Sequence, residues 1–170
     1  IITPTWNSEK YILQTIRSVQ NQSYQNWEMI IVDDCSTDST YSIVKKEMEI
    51  ESRIKLLRQD INGGAAKART RAMWSATGRF IAYLDADDIW LPEKLEKQVA
   101  YMIKHNCGFT CTSYEVISDN GEKLNKYVHM LPKVSYVGFL TNNLLQTVGI
   151  MVDTQKVDKQ LLVMPDLRRR

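Results

Sequence analysis

The chain has 170 residues, of which 44% are hydrophobic and 25% charged, ordinary usage for about one globular domain with a buried core. Its 22 Lys and Arg against 20 Asp and Glu leave a formal charge of +2, which gives no bulk electrostatic case for a nucleic-acid partner. No run approaches the ~20 apolar residues of a membrane span and no signal-peptide pattern opens the chain, so a soluble domain is expected.

Short apolar runs alternate with amphipathic stretches over the first part of the chain, which predicts βαβ units and a largely parallel sheet. Ile1 to Thr3 reads as the end of a strand, and Asn7 or Ser8 as the cap of a helix with Ile12, Ile16 and Val19 at helical spacing. "EMIIVDD" is the next strand, and Asp38 or Ser39 starts a helix through Ile43, Val44 and Met48. "IKLL" is a third strand, and "NGG" at 62–64 is a turn into "AAKARTRAMWSA", a helix with small residues on one face. "FIAYL" at 80–84 reads as a strand buried on both faces, and Pro92 opens a helix carrying Leu95, Val99, Met102 and Ile103.

From about residue 107 the pattern changes. "GFTCTSYEVIS", the turn "DNG" and "EKLNKYV" predict an antiparallel hairpin, and "TVGIMVD" one more strand. The expected organisation is one domain, with residues 1–106 as its βα region and 107–170 as the start of a subdomain. Cys35, Cys107 and Cys111 are an odd number without a disulfide framework, which favours buried thiols in a reducing compartment, the cytoplasm. His105 beside Cys107 and Cys111 fits no common zinc spacing. Ile1 and Ile2 without a methionine, and Arg168 to Arg170 without a cap, predict a fragment of a longer chain.

The chemistry collects where strands end. In a parallel sheet ligands bind beyond the carboxyl ends of the strands, and those ends carry "TPTWN", Asp33 and Asp34, the Asn62 turn, and Asp85, Asp87 and Asp88. One aspartate alone caps a turn or helix as readily as it serves a site. Four strand ends agreeing favour a site. Self-repulsion makes the Asp85–Asp88 cluster costly unless a cation or hydrogen-bonded ligand sits among its carboxylates. Hard oxygens suit Mg²⁺ or Mn²⁺, which complete their shells with waters and substrate phosphates. Lys67, Arg69 and Arg71 supply charge for a diphosphate, although a solvated helix face accounts for some of them, and Trp6 offers a ring to stack on a base.

Other phosphate chemistries fit less well. A dehalogenase-type phosphotransferase wants Thr or Val where this chain has Ile89, and a receiver domain wants a lysine after a later strand. Neither a Walker loop nor Gly-x-Gly-x-x-Gly occurs.

Three blocks, "IITPTWNSEKYILQTIRSVQNQSYQNWEMIIVDDCSTDST", "NGGAAKARTRA" and "GRFIAYLDADDIWLPEKLEKQ", resemble the family 2 glycosyltransferases in order and spacing over residues 1 to about 105. The resemblance implies a GT-A fold, Rossmann-like, with a mixed and mainly parallel sheet flanked by helices. It implies an inverting transfer from a nucleotide diphosphate sugar, often UDP-linked, to the hydroxyl of a glycan or lipid-linked acceptor, with Mg²⁺ or Mn²⁺ as cofactor. By position, Pro4, Thr5 and Trp6 resemble the loop that holds the nucleobase, and Asp34 the aspartate that hydrogen-bonds the base. Asn62 belongs to the nucleotide-binding set, and Arg69 resembles the arginine of an Ala-Arg-Asn block in which Thr70 here replaces the asparagine. Asp85, Ala86 and Asp87 resemble the Asp-x-Asp signature, with Asp85 towards the ribose and Asp87, helped by Asp85, on the metal.

Inverting transfer also needs a general base. The resemblance puts it in an acidic block after a Pro-Asp stretch, and "MPDLRRR" reads as the approach to that block, so the base is expected beyond Arg170, with Asp166, Asp153 and Asp158 as fallbacks. Synthesis of a surface polysaccharide is the implied role, with peripheral membrane association of the full-length protein. The alternative is a nucleotide-sugar-binding module that does not turn over.

Overall fold

The apolar runs are strands and the amphipathic stretches are helices, as the periodicities predict. The computed structural model describes residues 1–130 and 145–165. Three parallel strands pair in the order β1-β2-β3: β1 (Ile2–Thr5), β2 (Met29–Asp33) and β3 (Ile54–Arg58). β4 (Phe80–Ala82) continues through Tyr83 and Leu84, whose amide donates to the Ile2 carbonyl at 3.0 Å, joining it in parallel to β1. On the other side of β4, β8 (Met151–Asp153) runs antiparallel, and β5 (Phe109–Thr110) pairs antiparallel with β8. The result is a mixed sheet whose parallel core is β3-β2-β1-β4.

Helices cover both faces because the strands are apolar on both. Met29 and Ile31 of β2 face α1 (Ile12–Gln20), α2 (Thr40–Ile50) and α4 (Lys94–Lys104), through Ile12, Ile16, Val19, Val44, Leu95, Val99 and Met102. Ile30 and Val32, one residue out of phase, face α3 (Ala65–Ser75) through Ala68, Ala72 and Met73. Each fully buried Ile contributes roughly 1.5–3 kcal/mol over leaving it in water. The alanines let α3 lie close on β1 and β2, so its N-terminal turn arrives at the end of the sheet where the carboxylates are.

Local details differ from the expectations where side chains found distant partners. Neither Asn7 nor Ser8 caps α1 with its side chain. Asn7 Oδ1 instead accepts from the Thr37 amide at 2.9 Å, and the Ser8 main-chain carbonyl accepts from Tyr11 and Ile12. Asp38 does serve α2, accepting from the Thr40 amide at 2.9 Å. Pro92 lies in the turn before α4 rather than in its first turn, and Ile103 is exposed because the buried stripe of Leu95, Val99 and Met102 turns away from it. "GFTCTSYEVIS" divides: Phe109 and Thr110 join the main sheet, while β6 (Tyr114–Ile117) forms the hairpin with β7 (Lys123–Val128). Of "TVGIMVD" only Met151–Asp153 is strand. Gly149 before it passes so close to Thr112 that a Cβ there would lie 2.7 Å from the Thr112 carbonyl oxygen.

The three cysteines are free and half-buried. No helix among the described residues is long and apolar enough to cross a membrane.

Candidate functional site at the carboxyl ends of the strands

Two loops form one wall of the site by exchanging hydrogen bonds. The Asn7, Ser8 and Glu9 amides after β1 donate to Ser36 Oγ, Thr40 Oγ1 and Asp38 Oδ2 after β2, and Glu9 Oε2 accepts from the Ser39 amide. Pro4 and Thr5 are buried at the end of β1, whereas the Trp6 side chain at the rim is 56% exposed. Its ring is therefore available as a stacking surface.

The two aspartates ending β2 have different partners. Asp33, fully buried, pairs with Arg58 Nε of β3 at 3.2 Å and accepts from the Ser36 amide. Asp34, 3% exposed, accepts from Gln59 Nε2 at 2.5 Å and from the Gly63 and Gly64 amides at 2.7 Å each. Asn62 Nδ2 donates back to the Asp34 carbonyl at 3.1 Å. Asp34 thus fixes the Asn62–Gly64 turn, in which Gly64 takes φ +83°, a left-handed conformation glycine adopts without strain, and so fixes the start of α3.

From that helix Arg69 reaches the β4 end, donating from one terminal nitrogen to Asp85 Oδ1 at 2.6 Å, with both side chains largely buried. This contact joins the "AAKARTRA" block to "DADD". Arg71 instead donates to the Arg58 carbonyl at 2.7 Å. Thr70 Oγ1, where the resemblance has asparagine, accepts from the Met164 amide at 3.2 Å and so docks the chain after β8 onto α3.

The Asp85–Asp88 turn is held from below by Thr15 Oγ1 of α1, which lies 2.9 Å from the carbonyl oxygens of both Ala86 and Asp88. Ala86 is buried, Asp87 points to solvent, and among the described residues Asp87 has no hydrogen bond or ion pair. Burial, and then the neighbouring Asp85 and Asp87, push the Asp88 carboxyl up to about 6. Negative charge here exceeds what Arg69 balances. Among the described residues no three His, Cys, Asp or Glu side chains form a metal cage, but Mg²⁺ and Mn²⁺ characteristically take only one or two protein carboxylates beside phosphate oxygens. The solvent-facing Asp87 with Asp85 beside it fits that donor set.

Asp153 and Asp158, two of the fallback bases, do not join this group. Asp153 ends β8, which runs antiparallel to β4 and pairs Asp153 with Phe80, at the opposite end of β4 from Asp85. There Arg79 Nε and a terminal nitrogen grip both carboxylate oxygens at 3.0 and 2.7 Å, and this holds the Asp153 carboxyl below its ordinary range. Asp158 caps the short turn Lys159–Leu162 by accepting from the Gln160 amide. Asp166 and Arg168 to Arg170 lie outside the described residues.

The Arg79–Asp153 pair makes a stability prediction. Asp153→Asn removes the charge from a position that is 1% exposed while Arg79 can turn to water, and is expected to cost about 2 kcal/mol. A melting temperature lowered by roughly 4–8 °C at pH 7 checks it. Because the folded carboxyl is depressed, the pair's contribution is present above the unfolded carboxyl value near ~4 and is lost as pH falls through the lower folded value. The difference between wild type and variant should therefore shrink on acidification.

One feature had no signal in the sequence pattern. Lys94, the first residue of α4, places its Nζ 3.7 Å over the Trp90 ring centre, buried and without a hydrogen-bond partner. Burial pushes its amine down to about 7, with Cys111 pulling the other way. Trp90 is itself fixed by donating from Nε1 to the Val148 carbonyl at 2.9 Å. Lys94 sits among charged residues in "LPEKLEKQ", and in the fold Cys111 lies near it while Val148 fixes the ring it packs on.

A three-stranded parallel core extended by β4 and an antiparallel β8, with loops gathered at the carboxyl ends of the strands and an acidic turn after β4, is the GT-A architecture. Over residues 1–157 the chain matches the Glycosyl transferase family 2 model, and it belongs to that family. It is 39% identical over 170 residues to TuaG of Bacillus subtilis (strain 168), a glycosyltransferase proposed for teichuronic acid biosynthesis, spanning all of this chain and 67% of TuaG. It is 43% identical over 163 residues to the Escherichia coli UDP-Glc:alpha-D-GlcNAc-diphosphoundecaprenol beta-1,3-glucosyltransferase WfgD, covering 95% of this chain and 60% of WfgD. The crystal structure of S. aureus TarS 1-349 in complex with UDP superposes with a TM-score of 0.79 at 28% identity, over 97% of this chain and 49% of that one. The chain thus spans about half to two-thirds of the length of these relatives.

Proposed function

We propose that residues 1–106 bind a UDP-linked sugar and that residues 107–170 begin the acceptor side of a glycosyltransferase that builds a surface polysaccharide. The observation that carries this reading is the Arg69–Asp85 contact at 2.6 Å, because it brings the α3 block to the acidic turn beside the loops that end β1 and β2. In this reading Trp6 stacks on the uracil over Pro4 and Thr5. Asp34 accepts the ring N–H, since an ionised carboxylate has about four acceptor sites and three are occupied by Gln59, Gly63 and Gly64. Asn62 shapes that pocket, Arg69 orients Asp85 towards the ribose, and the buried Ala86 keeps the turn narrow.

Asp87, helped by Asp85, would hold Mg²⁺ or Mn²⁺ against the diphosphate. Bound there, the ion would act as a Lewis acid that neutralises charge growing on the leaving diphosphate. The acceptor hydroxyl attacks the anomeric carbon from the face opposite the diphosphate, inverting it, and passes its proton to a general base expected beyond Arg170. The names of WfgD and TuaG support a lipid-linked or wall-glycan acceptor, and hence work at the cytoplasmic face of a membrane.

Thermal denaturation tests the donor site. UDP at about 100 times its dissociation constant stabilises the native state by ~2.7 kcal/mol, which raises the melting temperature of a domain this size by roughly 5–11 °C. The rise is expected with Mn²⁺ and not in chelator. Equal rises in both would remove the metal from the reading, and no rise in either would remove UDP.

A further inference from the structure

Arg69 is held to Asp85 by a hydrogen bond of 2.6 Å from one terminal nitrogen, and its Nε is buried without a partner. A guanidinium carries its donors in a rigid fork, so a single bond leaves the plane free to turn unless packing holds the side chain. That packing involves the chain after β8. Lys159 Nζ donates to the Ala76 carbonyl at 2.7 Å, which puts a cation at the negative end of α3. Further along, the Met164 amide donates to Thr70 Oγ1 at 3.2 Å. Ala76 and Thr70 lie about 9 Å apart along the helix axis, so residues 159–164 run back along α3 towards its N-terminal half and reach the neighbour of Arg69.

Between these two anchors the side chains divide. Leu162 and Met164, with Val157 before them, pack on the buried cluster that contains Ala68, Ala72, Met73 and Tyr83, whereas Leu161 and Val163 face outward. Ala68 directly precedes Arg69, and Tyr83 belongs to the extension of β4 that leads into Asp85. The segment therefore packs on the two elements whose meeting is the Arg69–Asp85 contact. A close-packed interior has few voids to absorb a shift, so lifting the segment lets α3 move against the end of β4.

We propose that residues 159–164 brace the donor site and that Thr70 is the positioning residue of this brace: the docked segment holds Arg69 on Asp85, so UDP binding and docking of the segment favour each other. The inference rests on the donor reading above and adds to it a residue that acts through Arg69. Linkage makes the coupling reciprocal.

The test measures UDP affinity calorimetrically in Mn²⁺, at a temperature where every variant is folded. Thr70→Val keeps the shape and removes the acceptor, and is expected to lose at least ~5-fold in affinity, the lower end of typical couplings. Thr70→Ser restores a hydroxyl acceptor and is expected to stay within about twofold of wild type. Ile54→Val is the control, because it thins the core on the other face of the sheet at the amino end of β3. It should melt lower, as buried Ile→Val changes do, yet bind UDP as wild type does. A brace that served stability alone would leave affinity untouched in Thr70→Val as well. In wild type, UDP with Mn²⁺ should slow hydrogen exchange at the Met164 amide at least ~5-fold. Wild-type affinity in Thr70→Val overturns the proposal, as does Met164 exchange that UDP leaves unchanged, and the exchange measurement decides should Thr70→Val fail to fold. Wild type that ignores UDP sinks the donor reading instead. The brace is then decided by melting Thr70→Val, Asp85→Asn and the double variant: the double loss should fall short of the sum of the single losses by at least ~2 °C, and additive losses overturn the proposal.

Discussion

Asp34→Ala is expected to destabilise the domain by about 3 kcal/mol and to remove measurable UDP binding. The substitution takes away the acceptor for the Gly63 and Gly64 amides and for Gln59 Nε2 in a position that is 3% exposed. Each buried donor left without a partner costs about 1–3 kcal/mol, and partial rehydration of the released turn keeps the sum near the lower end. A melting temperature lower by roughly 6–12 °C is the corresponding measurement. Asp34→Asn keeps one carbonyl oxygen and should fall between the two. Because the same carboxylate sets the first turn of α3, the Arg69–Asp85 contact should loosen as well, and hydrogen exchange at residues 62–69 should rise. Wild-type melting in Asp34→Ala would mean that the turn is held by other contacts.

Asp87→Asn should do the reverse, leaving the fold intact and damaging binding. Asp87 faces solvent without a partner among the described residues, so its replacement leaves nothing unsatisfied, and the melting temperature without ligand should stay within about 2 °C of wild type or rise slightly. A small rise would follow from removing one of the carboxylates that raise Asp88. UDP affinity in Mn²⁺ is expected to fall at least tenfold, about 1.4 kcal/mol, while the weak affinity in chelator stays the same. Asp85→Asn serves as the contrast, because it also releases Arg69 and should perturb both stability and binding. Undiminished Mn²⁺-dependent affinity in Asp87→Asn would place the ion on other ligands.

Strand and helix identity were legible because they depend on local periodicity: Met29 to Val32 must be buried on both faces, and Ile12, Ile16 and Val19 can share a face only in a helix. The gathering of Trp6, Asp34, Asn62 and Asp85 at one edge followed from the parallel βα rule, in which every strand enters the sheet in the same direction. Antiparallel β8 breaks that rule. Nothing local to "GIMVD" says that it runs against β4, and that reversal puts Asp153 at the far end, beside Arg79.

The sequence by itself determined the βα order, the acidic turn after β4 and the family, since each is written in contiguous blocks whose hydrophobic pattern and carboxylate spacing need no distant partner. Tertiary structure decided what individual polar side chains do. Arg79 and Asp153 meet across 74 residues, Thr70 and Met164 across 94, and Asp34 and Gly64 across 30. Lys94 is buried against the Trp90 ring, which the Val148 carbonyl fixes from 58 residues away. The physical reason is that a buried charge or hydrogen-bonding group takes its role from whichever partner enters its few ångströms of low-dielectric space, and chain order does not specify that partner until the sheet has closed.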